Sequence, residues 1–325
     1  MNKIRIEDSA KVIGKVRLGK NAYLAQGTIV SSYNDSVSIG NSSWLLENSV
    51  IIGTEENPVK VGSKTVFGHK SVTIGAEIGD LCEIGNNTIF LPGSKVGDMC
   101  VFGEGTIVPE NMVIPSQSVV LGRPAKVIRK LNENDKNMIK KMRGSDISLD
   151  EFVEHIFEFE RGESAMTNLY EYKGKLPEVA ASSYIDNLAE ITGDVVIGEN
   201  SYIASGVRII GDSHGPIKIG NNVTILENSV LHLLPDNELI IHDNVTIGPN
   251  STIHGTVIGS QSIVEAGSIV CDYSVIGENS LIKAGTLVKQ RDKFEKNSIL
   301  EGFPAKEIGK TRERLKRPAW AKRIV

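Results

Sequence analysis

The chain has 325 residues, a net charge of −4 and 5% aromatic residues, set against 32 glycines. That charge offers no basic field for a phosphate backbone, which argues against nucleic acid as a partner. No apolar run reaches the roughly 18 residues that a membrane-crossing helix needs. Cys82, Cys100 and Cys271 are too few and too scattered for a disulfide framework or a zinc ribbon, and the start, Met1-Asn-Lys-Ile, has no apolar signal core. A soluble cytoplasmic protein is expected.

Residues 1–128 carry an aliphatic residue near every sixth position, followed by Gly and a polar pair. Val16-Arg-Leu18-Gly19-Lys-Asn21, Val37-Ser-Ile39-Gly40-Asn-Ser42 and Ile84-Gly85-Asn-Asn87 are examples. A helical period of 3.6 does not place aliphatics this way, and simple strand alternation does not demand Gly every sixth residue. Short strands joined by tight corners do. The aliphatic points inward on each side of a coil, and Gly or Asn accepts the positive φ of the corner. Three sides make a coil, and stacked coils bury a continuous aliphatic column.

From 129 to 168 the pattern stops. Met138, Ile139 and Met142 lie at helical spacing, Ser148-Leu-Asp-Glu151 reads as a capping box, and Phe152, Val153, Ile156, Phe157 and Phe159 form an apolar stripe. The expectation is a helical hairpin linking two domains. The hexapeptides resume over 169–310, as in Val196-Ile197-Gly198-Glu-Asn200 and Val275-Ile276-Gly277-Glu-Asn279, and 311–325 is a basic tail. A longer period joins the halves. Pro124-Ala125-Lys126 recurs as Pro304-Ala305-Lys306, and Leu46-Glu47-Asn48 recurs at the same offset as Leu226-Glu227-Asn228. Gly14 and Gly27 recur as Gly193 and Gly206 at an offset shorter by one, so a single insertion lies between Gly206 and Gly220. The pattern reads as a tandem duplication. The fold class expected is all-β: two tandem parallel β-helices joined by an α-helical linker.

The segments Tyr170-Glu-Tyr172-Lys-Gly174, Ile191-Thr-Gly-Asp194, Val230-Leu-His232, Ile247-Gly248-Pro249-Asn-Ser-Thr-Ile-His254-Gly255 and Gly302-Phe-Pro304-Ala-Lys306 resemble the γ-class carbonic anhydrase family. The resemblance covers nearly all of 170–310 and, more loosely, 1–128. It implies a left-handed coil and self-association as a trimer or pseudo-trimer. It also implies three histidines holding zinc, or another divalent metal, between neighbouring subunits. Three imidazoles and an open position for water suit a metal that makes a hydroxide nucleophile near neutral pH.

Each half keeps only part of that set. The second has His232 and His254, but Pro249 replaces the histidine of the family's Gly-His pair; the first has Gly68-His69, but Ile52 and Ile74 fill the other two places. The losses are complementary, so His69, His232 and His254 are the expected ligands of one composite site. The family's Arg-Gly-Asp survives in part as Gly211-Asp212, and its orienting Gln falls at Leu226 beside Glu227. Asp212 and Glu227 are therefore the candidate catalytic residues. The resemblance implies hydration of CO2 or a related small electrophile. A non-catalytic assembly subunit is one alternative. A hexapeptide acyltransferase is another, with His214 as its only loose candidate base. His242 reads as a corner residue and His155 as a linker residue.

Overall fold

The computed structural model describes residues 3–159, 168–212 and 215–323. The chain divides into two compact units, Met1–Arg161 and Gly162–Val325, each of them a parallel β-solenoid. His214, and the linker residues from 160 to 167, lie outside the described residues.

In the second unit three sheets of seven, seven and eight short strands form the sides of the solenoid. Residues stack on their equivalents one coil away, and the inward ladder Ile185, Ile203, Ile225, Ile247, Val264, Ile282, Leu300 is wholly buried at every rung. Burying one such side chain stabilises by roughly 1.5–3 kcal/mol, so the column is the main source of cohesion. In the first unit the matching ladder is Leu24, Leu45, Phe67, Ile84, Phe102, Val120. Two of its sides merge into one 11-stranded sheet, because the strands Lys11–Leu18 and Ile29–Ile39 run unbroken round a corner.

Coil lengths repeat between the units. In the first unit the rungs Arg5, Tyr23, Trp44, Val66, Glu83, Val101 and Val119 are register partners. In the second they are Tyr184, Tyr202, Thr224, Thr246, Ile263, Leu281 and Ile299. Two long coils sit among short ones in both. The step from Tyr23 to Trp44 is shorter by a single residue than its counterpart from Tyr202 to Thr224, so the insertion lies in a long coil. Each solenoid ends in a fold-back. Ser118–Leu121 pairs antiparallel with Lys126–Lys130, and Ser298–Gly302 with Ala305–Lys310, so the recurring Pro-Ala-Lys motif lies at the turn of a terminating hairpin.

The glycine of the repeat has a different cause from the one expected. Positive φ falls on the second residue after it, at Asn200, Asn222 and Asn279, and even at Leu81 and Met99. The glycine is needed for close approach instead. A Cβ on Gly220 would overlap the carboxylate of Asp243 in the next coil. That carboxylate accepts the N–H of Asn221 at 2.7 Å, as Asn221 in turn accepts that of Glu199 at 2.8 Å. A ladder of Asn, Asp and Ser side chains thus satisfies backbone donors along this corner.

The linker corrects one expectation. One helix forms, α1 (Glu133–Met142), with Asn132 and Asp135 exchanging capping hydrogen bonds at 3.0 and 2.8 Å, and buried Ile139 packs with Leu81, Val119 and Leu131. Among the described residues no second helix follows it. Ser148 bonds back to Asp146, and His155–Phe159 is a strand antiparallel to Lys11–Leu18. The physical reason is that Lys11–Leu18 would otherwise be an open sheet edge, and the alternation of exposed Ile156, half-buried Phe157 and exposed Glu158 fits a strand on that edge. The tail is docked on its own unit: Trp320 and Ala321 are buried, and Arg323 donates to Thr224 Oγ1 at 2.9 Å and to the Asn222 carbonyl at 2.7 Å. Arg143, its counterpart after the first solenoid, likewise donates to a corner carbonyl, that of Lys64, at 2.8 Å.

This packing makes glycine substitutions unequal. Gly220→Ala should lower unfolding stability by about 1–3 kcal/mol through overpacking, whereas Gly309→Ala, whose Cβ would meet only Ile299 Cδ1 at 3.8 Å, should stay within about 0.5 kcal/mol; urea titration of both variants checks the contrast. The Arg143 guanidinium lies 2.6 Å from the Glu83 carboxylate, and both are nearly buried. Burial pushes the Glu83 carboxyl above the usual range, with Arg143 opposing it. A raised carboxyl contributes stability at low pH that is lost as pH rises through its folded value. Arg143→Ala should therefore cost about 3–5 kcal/mol near neutrality and less at pH about 4, where Glu83 takes up a proton; denaturation at the two pH values reads the difference.

Candidate metal centre

The strands Val230–His232 and Thr252–His254 lie on adjacent coils and pair in parallel, with His232 opposite His254. Leu231 and Ile253 point into the column and are fully buried. Alternation therefore turns the histidines outward at the ends of their strands, where both are partly exposed. Their ring centroids are 4.9 Å apart at 73°, and His232 Nδ1 lies 3.0 Å from His254 Nε2.

A carboxylate holds the far nitrogen of each ring. His232 Nε2 lies 2.9 Å from Asp212 Oδ1, and His254 Nδ1 lies 2.6 Å from Asp272 Oδ2. Burial alone would push the Asp272 carboxyl up. The backbone N–H of Leu234, then His254 and the Asn237 amide, outweigh it and hold the group below the usual carboxylate range.

These contacts fix a proton count. Carboxylate oxygens only accept, so each outer nitrogen carries the N–H of its ring. A neutral imidazole has one N–H, so His232 Nδ1 and His254 Nε2 then face each other as two lone pairs 3.0 Å apart. A cation between them, either an extra proton or a metal ion, would satisfy both lone pairs. Two ligands at about 2.0–2.1 Å from a tetrahedral zinc subtend about 3.3 Å, close to the spacing found here. Imidazole nitrogens with carboxylates behind them are also the usual chemistry of a zinc or related site. The pair fits as two ligands. Pro249, at the place of a third, has no donor side chain, and among the described residues no group of three or more His, Cys, Asp and Glu is placed to hold a metal.

The other expected residues fall as follows. His69 is in the first unit, half-exposed, with Nδ1 2.7 Å from Glu47 Oε2. Glu227 is buried at a corner, where its carbonyl accepts the N–H of Asn250 at 2.9 Å. Asp212 lies against His232, its Oδ1 2.9 Å from Nε2. Sequence reasoning missed Asp272. It stands on the coil after His254, a relation the sequence alone does not mark because coil length varies. In the first unit Tyr33, Ile52, Ile74 and Pro92 take the places of Asp212, His232, His254 and Asp272, with Ile52 and Ile74 buried and paired in register.

A solenoid of this kind with a two-histidine rim is a hexapeptide-repeat protein. The sequence family described as the hexapeptide repeat of succinyl-transferase matches residues 58–90 and 238–271. The chain is 45% identical over 140 residues to a carbonic anhydrase of Geobacillus kaustophilus (strain HTA426), an alignment covering 43% of this chain and 76% of that protein. It is 46% identical over 90 residues to an uncharacterized transferase, YtoA, of Bacillus subtilis (strain 168), covering 28% of this chain and 52% of the relative. Among solved structures, a hexapeptide transferase family protein from Anaplasma phagocytophilum is 33% identical, with a TM-score of 0.42, over 45% of this chain and 85% of the other. The chain belongs to the γ-class carbonic anhydrase-like family of left-handed hexapeptide β-helices.

Proposed function

We propose that the chain binds a divalent metal, zinc by its donor chemistry, at His232 and His254, and that it hydrates CO2 or a related small electrophile there. The observation that carries this reading is the pair of imidazole nitrogens 3.0 Å apart, each ring backed by a carboxylate. A bound zinc ion would supply Lewis acidity and would activate water near neutral pH. Asp212 and Asp272 fix which nitrogen of each ring is free, and Glu227 is assigned as proton acceptor from its place in the family pattern. The third donor assigned from the sequence is His69. Its participation is a matter of how copies assemble, as a trimer or pseudo-trimer in the cytoplasm. Tandem duplication accounts for the complementary losses in the two halves. The first unit, with neither His nor Asp at the four corresponding positions, takes a supporting part.

Relatives described as transferases favour a second reading, acyl transfer. That reading requires acyl-CoA binding, which the hydration reading does not. Among the described residues no helix is long and apolar enough to cross a membrane.

Metal-free protein reloaded with zinc should hold about one zinc per chain. His254→Ala should abolish this, and His69→Ala should reduce it strongly. CO2 hydration should appear with zinc and vanish in His254→Ala. Stopped-flow hydration with zinc analysis checks both. A wild-type chain that retains only a small fraction of a zinc, or that binds coenzyme A without hydrating CO2, defeats the reading.

A further inference from the structure

Asp272 is nearly buried and has three partners. Oδ2 accepts from His254 Nδ1 at 2.6 Å, while Oδ1 accepts the Leu234 N–H at 3.1 Å and Asn237 Nδ2 at 3.2 Å. Asn237 is itself fixed: Nδ2 also donates to the Gly255 carbonyl at 2.7 Å, and Oδ1 accepts the Glu238 N–H at 2.9 Å. The orientation of the carboxylate is therefore set by two donors on one oxygen, leaving the other for the imidazole. Space for this exists because residue 255, at φ +30°, has no side chain. A Cβ there would overlap both Asn237 Nδ2 and Asp272 Oδ1.

The first unit separates two roles this carboxylate could have. Its corresponding loop closes through reciprocal backbone hydrogen bonds between Thr54 and Asn57, at 2.9 and 3.1 Å. It keeps the asparagine, as Asn57, but has Pro92 where the second unit has Asp272 and Ile74 where it has His254. A long-coil loop of this type therefore closes without the carboxylate. Where the carboxylate is present, the histidine is present with it.

We propose that Asp272 is a positioning residue that holds His254 in the Nδ1–H tautomer, keeping Nε2 as a lone-pair donor toward His232 and a bound cation. The proposal rests on the metal reading above for its purpose, though not for its test. The decisive variant is Asp272→Asn. Leu234 N–H and Asn237 Nδ2 remain as donors and draw the carbonyl oxygen of the new side chain toward themselves, which turns its NH2 to His254 Nδ1. The ring then becomes an acceptor at Nδ1 and carries its proton on Nε2, where it blocks the metal.

The tautomer is read in the metal-free full chain by long-range 1H–15N correlation spectra of 15N-labelled histidine. The measurement is made at pH about 8.5, above the ordinary imidazole range, with the His254 signals assigned by their loss in His254→Ala. The wild type should show Nδ1–H and Asp272→Asn should show Nε2–H. Asp272→Ala, which leaves Nδ1 without its acceptor, should give a mixture and serves if the amide variant fails to fold. Zinc affinity should fall about 10- to 100-fold in Asp272→Asn. An unchanged Nδ1–H tautomer in both variants overturns the positioning role even if the wild type binds zinc. An inverted tautomer in a protein that never binds zinc upholds it and overturns the metal reading instead.

Discussion

Everything in these solenoids depends on in-register stacking of one coil on the next. The backbones of neighbouring coils are tied by parallel strand pairing, and that spacing has two consequences. It lines up identical inward positions into a dry aliphatic column, and it forces glycine wherever a corner would otherwise meet the capping side chain of the next coil. The hexapeptide signature is thus a record of a fixed vertical distance, with local turn preference in a secondary part. Leu81 and Met99 adopt the left-handed conformation without being Gly or Asn, which shows how far stacking overrides the preference of the individual residue.

The same stacking builds the candidate metal centre. Two histidines a coil apart become neighbours because each ends its strand facing outward, and their carboxylates come from the coils on either side. Asp212, His232, His254 and Asp272 come from four successive coils, with the two histidines directly in register. Their geometry is a property of the fold. What the sequence had to supply was the right residue at each of four rungs, and only the second unit does so.

The repeat and the parallel β-solenoid it builds were legible in the sequence, since the period is a backbone property, while His232 and His254 stood out only through a family pattern. Asp272 was not legible, because its relation to His254 is one coil long, and coil length varies between short and long coils until the register is known. Glu227, buried at a corner, and Asp212, against His232, stand out by position in a family pattern. The linker misled for a different reason. An apolar stripe can satisfy a helix face or a strand edge, and the open edge of Lys11–Leu18 belongs to the far end of the first unit's sequence, so no local window contains it. The cap that does form, Asn132 with Asp135, carries a weaker signature than the Ser-Glu pair that does not.

The terminating hairpins bear on how such chains can grow at all. A parallel solenoid is an open-ended polymer of itself, since each new coil presents the template for another. Reversing the last strand, as the Pro-Ala-Lys turns do in both units, replaces that template with an antiparallel edge that a further parallel coil does not match. Each unit therefore carries its own terminating hairpin at the end of its solenoid. The stop signal recurs with each body, which leaves the second free to carry side chains that the first lacks.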